Sequence, residues 1–535
     1  MIRPVSHLVI FVIFVAAATI LLPSTHLMPI QQTHPNNQLI ATTFVSAIDS
    51  DKQSASAHNV GARTCASSTC HGSPRADTEN ANRIRRDEYT IWLEQDPHAR
   101  AYTDLDSPLG KQIFEKLGLT NDGQISRSNM ALYKLTYNNC LECHSTTIKT
   151  IKPNGNPETI ATEGISCEAC HGAASNWRST HFTSDFTQLT VKEKTEQGLT
   201  DVDNLWQRTN SCVKCHVGSA TAEVHHDLIA AGHPVLKFEM TAYSAQMPKH
   251  WKTLPPTKTT AKHRETNLWL MGQISSLSAS LKQLRARADQ SSGLVTTGSQ
   301  RHRVWPELSE SNCYACHHDL DLSDTWRPSI ASPRNGQKHL LPVNDWYAYA
   351  LASIAKVDGK TGNKAAQQFS DNWKALETAM ENSLSPNPAE VLACCDDALA
   401  ALSDWLKPSE LHAKQRHPHY DHHQILNLTA AVMQGDGLDG ILQNWDRATQ
   451  AYLALYALAC AQDNQGKTSV TASENLRAAR DLLAFPHHTD YRFASPSNFK
   501  GVLSSDAANT NNRTAIRAEL LEIINTLKSH VQENK

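Results

Sequence analysis

The chain has no marked excess of charge of either sign, no basic run and few aromatic side chains. Its formal net charge is −3 over 535 residues, which argues against a nucleic-acid partner and gives no strong electrostatic signal for any other partner. No run of alternating polar and apolar residues indicates a β-strand, so amphipathic helices and loops remain. At this length the chain is long enough for two or three domains.

The N-terminus lacks an apolar run long enough for an ordinary membrane span. A charged start, Met1–Arg3, precedes an apolar run from Leu8 to Leu22, whereas a bilayer-crossing helix needs about 17–25 residues. Extension to Ile30 includes polar residues, and the nearest small-x-small cleavage pattern, Val45–Ala47, is distant. Two interpretations of residues 1–30 remain open: a cleaved signal peptide and a retained membrane anchor. Either one predicts an exported, periplasmic protein, soluble or anchored to the cytoplasmic membrane.

The cysteines carry the strongest functional signal. Four elements have the order Cys-x-x-Cys-His, the attachment signature of c-type haem, in which two thiols add to the porphyrin vinyl groups and the following His ligates the iron. They are Cys140-Cys143-His144, Cys167-Cys170-His171, Cys212-Cys215-His216 and Cys313-Cys316-His317. A fifth element, Cys65-Cys70-His71, has the same order with a spacer of four residues. The sequence therefore predicts five covalent haem c groups.

Other uses of these cysteines stay open. Paired Cys-x-x-Cys elements also form zinc sites or disulfides, but neither needs a His directly after each second Cys. Because the spacer between Cys65 and Cys70 is longer, a structural cysteine pair is the alternative to haem attachment there. Aromatic residues make up only 6% of the chain, and a core built partly from porphyrin faces needs fewer of them.

Helical periodicity predicts an all-α fold in which a loop-rich multihaem domain precedes a helical C-terminal domain. We expect a disordered tether over 31–60, a pentahaem cytochrome c domain over 61–335 and an α-helical domain over 336–535. The predicted helices are Glu88–Asp96, Leu109–Leu117, Thr266–Ala286, Asp345–Val357, Lys364–Asn382, Ala389–Leu406, Gln424–Met433, Ile441–Gln462, Thr471–Phe485 and Thr514–Val531.

The second axial ligand of each iron has to come from another residue, or the position stays open. Histidine is plentiful, at 27 residues, and no Met lies in an obvious ligand context, so bis-His haems are expected. The candidates for this distal position are His98, His181, His226, His233 and His318, with His58 and His250 in reserve. His226 and His233 are two helical turns apart, which would put them on one face of a helix.

Three cysteines and one group of histidines fall outside this scheme. Cys394 and Cys395 lie in a predicted amphipathic helix and are interpreted as small buried hydrophobes, with a disulfide to Cys460 as the alternative. The histidines of Leu411–His423 match no specific metal-site spacing. A solvated linker is the favoured interpretation for them, and a transition-metal site is the alternative.

Several blocks around the motifs resemble a known family, the multihaem cytochromes of the cytochrome c-554 type, which are related to hydroxylamine oxidoreductase and the pentahaem nitrite reductases. The blocks are Cys65–Gly72, Trp92–Tyr102, Gly164–Gly172, His226–Pro234 and Trp305–Leu320. The resemblance covers about 61–334 and implies that His98 and His181 are distal ligands. It also implies that haems stack in close pairs along which electrons pass. Unlike those nitrite reductases, the chain has no motif that ends in Lys.

Three functions are consistent with these features. The first is an exported electron carrier that exchanges electrons with redox partner proteins, either other cytochromes or a quinone-linked complex. The second is an oxidoreductase acting on a small nitrogen or sulfur compound at one five-coordinate haem. The third is a haem-bearing scaffold or sensor. The carrier is favoured because it needs no catalytic group beyond the haems, and the sequence assigns no catalytic residue, substrate or oligomeric state.

Overall fold

Helices dominate the part of the chain that the computed structural model describes. The described residues are 57–77, 84–125, 130–151, 157–160, 163–251, 264–291, 305–316, 341–407, 420–434, 436–442, 445–463, 474–483 and 510–532. The predicted signal or anchor segment and nearly all of the predicted tether lie outside these residues. Among the described residues, no helix is long and apolar enough to cross a membrane.

The N-terminal half consists of short helices, 3₁₀ turns and two small hairpins. Its helices are α1 Glu88–Gln95, α2 Pro108–Lys116, α3 Met130–His144, α4 Cys167–His171, α5 Ser184–Gln188, α6 Val191–Glu196, α7 Leu205–His216, α8 His226–Ala231, α9 Met240–Gln246 and α10 Arg264–Ser291. The 3₁₀ turns are Ala62–Cys65, Pro97–Arg100, Thr103–Asp106, Leu308–Glu310 and Cys313–Ala315. The strands are β1 Thr120–Asn121, β2 Gln124–Ile125, β3 Ile148–Ile151 and β4 Pro157–Ile160.

The two hairpins are antiparallel and were not predicted. β1 pairs with β2 in the register Thr120↔Ile125, and β3 pairs with β4 in the register Ile148↔Ile160. Strands of two and four residues are too short to show a repeated polar–apolar alternation, which is why the sequence pattern does not reveal them. They do not change the class, and the prediction of an all-α fold is confirmed.

The C-terminal half contains longer amphipathic helices. They are α11 Tyr349–Lys360, α12 Lys364–Glu381, α13 Pro388–Leu406, α14 His422–Val432, α15 Asp436–Ile441, α16 Trp445–Asp463, α17 Glu474–Leu482 and α18 Thr510–Gln532. Caps set several of their ends: Asn363 accepts from Ala366 N–H at 3.2 Å before α12, and Asn387 accepts from Ala389 N–H at 3.0 Å before α13. Seven of these eight helices match predicted segments, with ends that differ by a few residues, and α15 has no predicted counterpart.

The long helix α10 joins the two halves through one hydrophobic core. It contacts α7 and α9 on one side and α13 and α16 on the other. From Thr266 to Leu277 every residue is buried, including the polar ones, so the apolar stripe predicted from periodicity is only part of its buried surface. Gly272 lets α10 approach α9 closely, because a Cβ at this position would collide with Met240 at the start of α9.

The described residues, from Ala57 to Gln532, belong to one compact unit. The core that includes Leu205 and Trp206 of α7 continues through α10 to Leu527 of α18. The predicted domain boundary at 335/336 falls in residues 317–340, outside those that the structure describes, and it stays a prediction. The shared core shows that the helical half packs directly against the motif-bearing half.

One buried carboxyl in this core makes stability depend on pH. Glu239 caps α9, accepting from Thr241 N–H at 3.0 Å and Ala242 N–H at 2.7 Å, and burial raises its pKa to about 7. A carboxyl whose pKa is raised in the folded state contributes stability below its unfolded pKa, near pH 4.5, and loses that contribution as the pH rises through about 7. Glu239→Gln should therefore reduce the loss of stability between pH 5 and pH 8 by about 3 kcal/mol.

Thermal unfolding followed by far-UV circular dichroism at both pH values checks this expectation. Asp421→Asn is the matched control, because Asp421 also caps a helix, accepting from Gln424 N–H at 2.9 Å, but it is solvent-exposed. The control should keep the pH dependence of the parent protein. An unchanged pH dependence in Glu239→Gln would contradict the prediction.

Candidate functional site

Three of the cysteine motifs lie at the C-terminal ends of helices. Helices α3, α4 and α7 end at His144, His171 and His216, and each motif occupies the last five residues of its helix. Positions i, i+3 and i+4 lie on the same face of a helix, so both thiols and the imidazole share one face. This arrangement is what attachment of one porphyrin requires.

Helix α4 is fixed to the segment that precedes the first motif. Glu168, between Cys167 and Cys170, is buried, and its carboxylate accepts N–H groups from Val60 at 2.9 Å, Gly61 at 2.7 Å and Ala174 at 2.8 Å. Burial raises the pKa of Glu168, while the three backbone donors favour its charged form. The first and third motifs are thereby held next to each other.

The first and fifth motifs are not helical throughout. Cys65 ends a 3₁₀ turn, and the longer spacer forms a loop that leaves Cys70 exposed. His71 Nδ1 lies 3.1 Å from Glu88 Oε2, a hydrogen bond that raises the pKa of His71. In the fifth motif, the turn Cys313–Ala315 holds a half-buried Cys313 and leads to the exposed Cys316. His317 and His318 lie outside the described residues.

Each of the four described motif histidines has a second histidine opposite it. The ring centroids are 6.1 Å apart for His71 and His181, 5.9 Å for His216 and His98, 6.3 Å for His144 and His233, and 6.3 Å for His171 and His250. The angle between the ring planes is 17° in the first pair and 70–80° in the other three.

This spacing fits an iron between two imidazoles. Metal–nitrogen bonds of about 2 Å, with each ring centre a little over an ångström behind its nitrogen, put the two ring centres roughly 6 Å apart. Direct stacking or hydrogen bonding between the rings would bring them closer. Burial lowers the pKa of His171 to about 4 and that of His216 to about 4. Both rings are therefore neutral at pH 7, the state in which imidazole binds a metal.

Local hydrogen bonds hold three of the four second imidazoles of these pairs in place. His98 lies on the 3₁₀ turn Pro97–Arg100, with Nδ1 2.9 Å from Asp96 Oδ1. His181 Nδ1 and His233 Nδ1 hydrogen-bond to backbone carbonyls, those of Arg178 at 2.7 Å and Pro234 at 2.8 Å. His250 precedes Trp251, whose ring centroid is 5.1 Å from its own.

In the structure, three of the five predicted distal histidines lie opposite motif histidines: His98, His181 and His233. His226 begins α8, where its N–H donates to Glu307 Oε1 at 2.7 Å. It is not on a common helix face with His233, because α8 ends at Ala231 and Gly232 follows with φ 125°. His318 lies outside the described residues. His226 and His318 therefore stay predictions.

His250 was only a reserve candidate, although it lies opposite His171. Its neighbours in sequence, Lys249 and Trp251, form no ligand pattern, and tertiary folding alone brings it to the α4 motif. The other reserve candidate, His58, uses its backbone N–H to donate to Ser175 Oγ at 2.9 Å. No local signal in the sequence separates these two histidines.

Cysteines from different motifs also meet. Interaction with Cys167 lowers the pKa of Cys65 to about 6, and the same interaction raises that of Cys167. Cys215 Sγ donates to the Glu142 carbonyl at 3.7 Å, and interaction with Cys143 lowers the pKa of Cys215. Porphyrins attached through these thiols would have neighbouring edges.

Residues 64–172 match the family described as cytochrome c554 and c-prime. The matched segment includes the motifs at His71, His144 and His171, and over these residues the resemblance seen in the sequence is confirmed. The match supports a cytochrome with covalent haem c and a part in electron transfer. No curated protein and no solved structure gives a significant match.

The two histidines of the Leu411–His423 group that the structure describes do not form a solvated linker. His422 is buried at the start of α14, and its Nδ1 lies 2.7 Å from Thr266 Oγ1 of α10. For this residue the linker interpretation is wrong, because contact between α14 and α10 covers it. Within the described residues, no group of three or more His, Cys, Asp or Glu side chains is placed to hold a metal ion.

None of the 13 cysteines, all within the described residues, forms a disulfide. Cys395 is buried among apolar side chains of α13, and Cys394 is half-buried beside it. Both agree with the interpretation as small hydrophobes rather than partners of Cys460.

Proposed function

We propose that this chain is an exported c-type cytochrome with five covalent haems that transfers electrons through mostly bis-His haems. The observation that supports this best is the set of four histidine pairs, each joining a motif histidine to a second imidazole at 5.9–6.3 Å between ring centroids. Two imidazole ligands leave no position for a substrate, which suits electron transfer. The fifth haem rests on the sequence motif Cys313–His317.

The alternative, an oxidoreductase with one five-coordinate haem, is proposed at that fifth site, because the other four motif histidines each lie opposite a second imidazole. Cys313 there lies near the buried ion pair of Lys237 and Asp446, both of which act electrostatically on it. The ammonium group of Lys237 is 5.2 Å from the ring centroid of Trp346 and 5.1 Å from that of Trp445.

Export and partners belong to the same proposal. The apolar N-terminal run supports transport across the cytoplasmic membrane, to the compartment in which haem c is attached. The partners are redox proteins, either other cytochromes or a quinone-linked complex. Retention by the N-terminal segment would hold the chain at the membrane near such a complex.

Haem stoichiometry and spin state test the proposal. We expect a pyridine haemochrome assay to give five haems per chain, and two or fewer would refute the proposed haem content. We expect at least four of them to be low-spin, so that CO binds to no more than one haem per chain in the reduced protein. A spectrum dominated by high-spin ferric iron would favour the oxidoreductase.

The ring angles give a sharper spectroscopic expectation. Near-perpendicular imidazole planes leave two iron d orbitals almost equal in energy, whereas near-parallel planes split them. EPR of the oxidised protein should therefore show one ordinary rhombic low-spin signal, from the 17° pair of His71 and His181, and large-gmax signals from the three pairs at 70–80°. Four ordinary rhombic signals would contradict the assigned pairs.

A further inference from the structure

Two of the paired imidazoles hydrogen-bond to carboxylates, and three hydrogen-bond to backbone carbonyls. His71 Nδ1 lies 3.1 Å from Glu88 Oε2, and His98 Nδ1 lies 2.9 Å from Asp96 Oδ1. The carbonyl acceptors are Ala101 for His144, Arg178 for His181 and Pro234 for His233, at 2.7–2.8 Å. In the described part of the chain, neither His171 nor His250 hydrogen-bonds a carboxylate.

Both carboxylates are held in place by further bonds. Asp96 is 3% exposed, and its Oδ1 also accepts the backbone N–H of His98 at 3.0 Å as the cap of the 3₁₀ turn. Glu88 is the first residue of α1, and its other oxygen accepts the Arg85 N–H at 2.6 Å. Neither carboxylate therefore needs to move in order to accept a hydrogen bond from an imidazole Nδ1–H.

The two carboxylates belong to different pairs of neighbouring sites. Glu168 of the Cys167 motif accepts the Gly61 N–H at 2.7 Å, which places the His71 site, with Glu88, next to the His171 site. Cys215 Sγ donates to the Glu142 carbonyl of the Cys140 motif at 3.7 Å, which places the His144 site next to the site of His216 and His98, with Asp96. Each neighbouring pair of sites therefore contains one site with a carboxylate on an axial imidazole and one without.

A carboxylate acceptor makes an imidazole a stronger electron donor to the metal than a backbone carbonyl does. A stronger donor stabilises ferric over ferrous iron and lowers the reduction potential. We propose that Glu88 and Asp96 set the direction of electron transfer within the two pairs. An electron leaves the ferrous iron of the carboxylate site, which becomes ferric, and reduces the ferric iron of its neighbour. This inference rests on the proposed bis-His haems.

Redox titration of the whole holoprotein, followed by visible absorption and EPR, tests it. Glu88→Gln and Asp96→Asn replace each carboxylate by a neutral amide of nearly the same shape. Each should raise the potential of its own haem most, so that the reduced-to-oxidised ratio of that haem at the original midpoint increases about tenfold, which is 59 mV for a one-electron couple. A smaller rise is expected at the site of His171 and His250, because both carboxylates also act electrostatically on His250. In Glu88→Gln the shifted signal should be the ordinary rhombic one assigned to His71 and His181. In Asp96→Asn it should be a large-gmax signal.

Glu94→Gln is the matched control, because Glu94 lies on α1 with Glu88 but is exposed. It makes the same change of charge without touching an imidazole and should leave every haem potential unchanged. An equal shift in the control would show a general charge effect and overturn the inference. Asp96→Glu, which keeps a carboxylate, should keep the low potential.

Haem content separates this inference from the proposed function. Variants that keep all haems and low-spin iron, with an unchanged titration curve, overturn the inference and leave the proposed function intact. A parent protein with two or fewer haems overturns the proposed function itself. If Asp96→Asn does not accumulate, because the cap of the 3₁₀ turn is weakened, Glu88→Gln decides the outcome, since Glu88 does not cap that turn.

Discussion

Replacement of His250 by Ala is expected to convert one haem per chain from a low-spin centre that excludes CO into one that binds it. The ring of His250 lies opposite that of His171 with 6.3 Å between their centroids, and no other described histidine has this relation to His171. Alanine cannot reach the iron, so one axial position opens inside the protein. CO difference spectra of the reduced protein, normalised to haem, should rise by one haem per chain, and a high-spin ferric EPR signal of the same size should appear.

His58→Ala is the matched control for this change. His58 and His250 were the two reserve ligands in the sequence, but the hydrogen bond that holds His58 to Ser175 comes from its backbone N–H, which the substitution retains. The control should bind no more CO than the parent. Added imidazole should restore the low-spin spectrum of His250→Ala by filling the vacated position. A His250→Ala protein that still excludes CO, or a His58→Ala protein that binds it, would refute the assigned pair.

The difference between these two histidines shows which parts of the site a sequence can reveal. The motif histidines follow from a local rule, because i, i+3 and i+4 share a helix face wherever the helix lies. His98 also has a local signal, since Asp96 both caps its turn and holds its ring. His250 has none, because its position is set by how the segment after α9 packs against α4. Local patterns therefore reveal the motif histidine of each pair more readily than the second histidine.

The same limit applies to the fold. Periodicity predicted α10 with an apolar stripe, and the helix is present, but its polar residues Gln273 and Ser275 are also buried. Ser275 Oγ lies 2.7 Å from Thr209 Oγ1 of α7, and Gln273 Nε2 donates to Gln450 Oε1 of α16 at 3.3 Å. A buried polar residue looks solvent-facing in a one-dimensional pattern until its hydrogen-bond partner is known. The central position of α10 between the two halves therefore could not be read from the sequence.

Replacement of both Cys212 and Cys215 by Ser is expected to remove one haem and to destabilise the core shared by the two halves. Cys212 packs against that core, and the ring of His216 lies 5.2 Å from Phe238 and 5.0 Å from Tyr243 between centroids. Without the two thioether bonds the porphyrin is not retained, and the surfaces that would contact it lose their partner. Because the binding energy of a folded metal centre is also folding energy, the free energy of unfolding should fall, and with it the midpoint of thermal unfolding.

Haem content by pyridine haemochrome and thermal unfolding by circular dichroism measure the two effects. The double variant Cys394→Ser and Cys460→Ser is the control. It too removes two cysteines, but both lie in the C-terminal half and neither belongs to a motif. It should keep all haems. Thiol titration of the denatured protein after disulfide reduction adds an independent check: if ten of the 13 cysteines are thioethers, three remain reactive in the parent and one in the control. Thirteen reactive thiols would point to zinc or disulfide chemistry instead, and unchanged haem in Cys212→Ser/Cys215→Ser would show that α7 does not carry a haem.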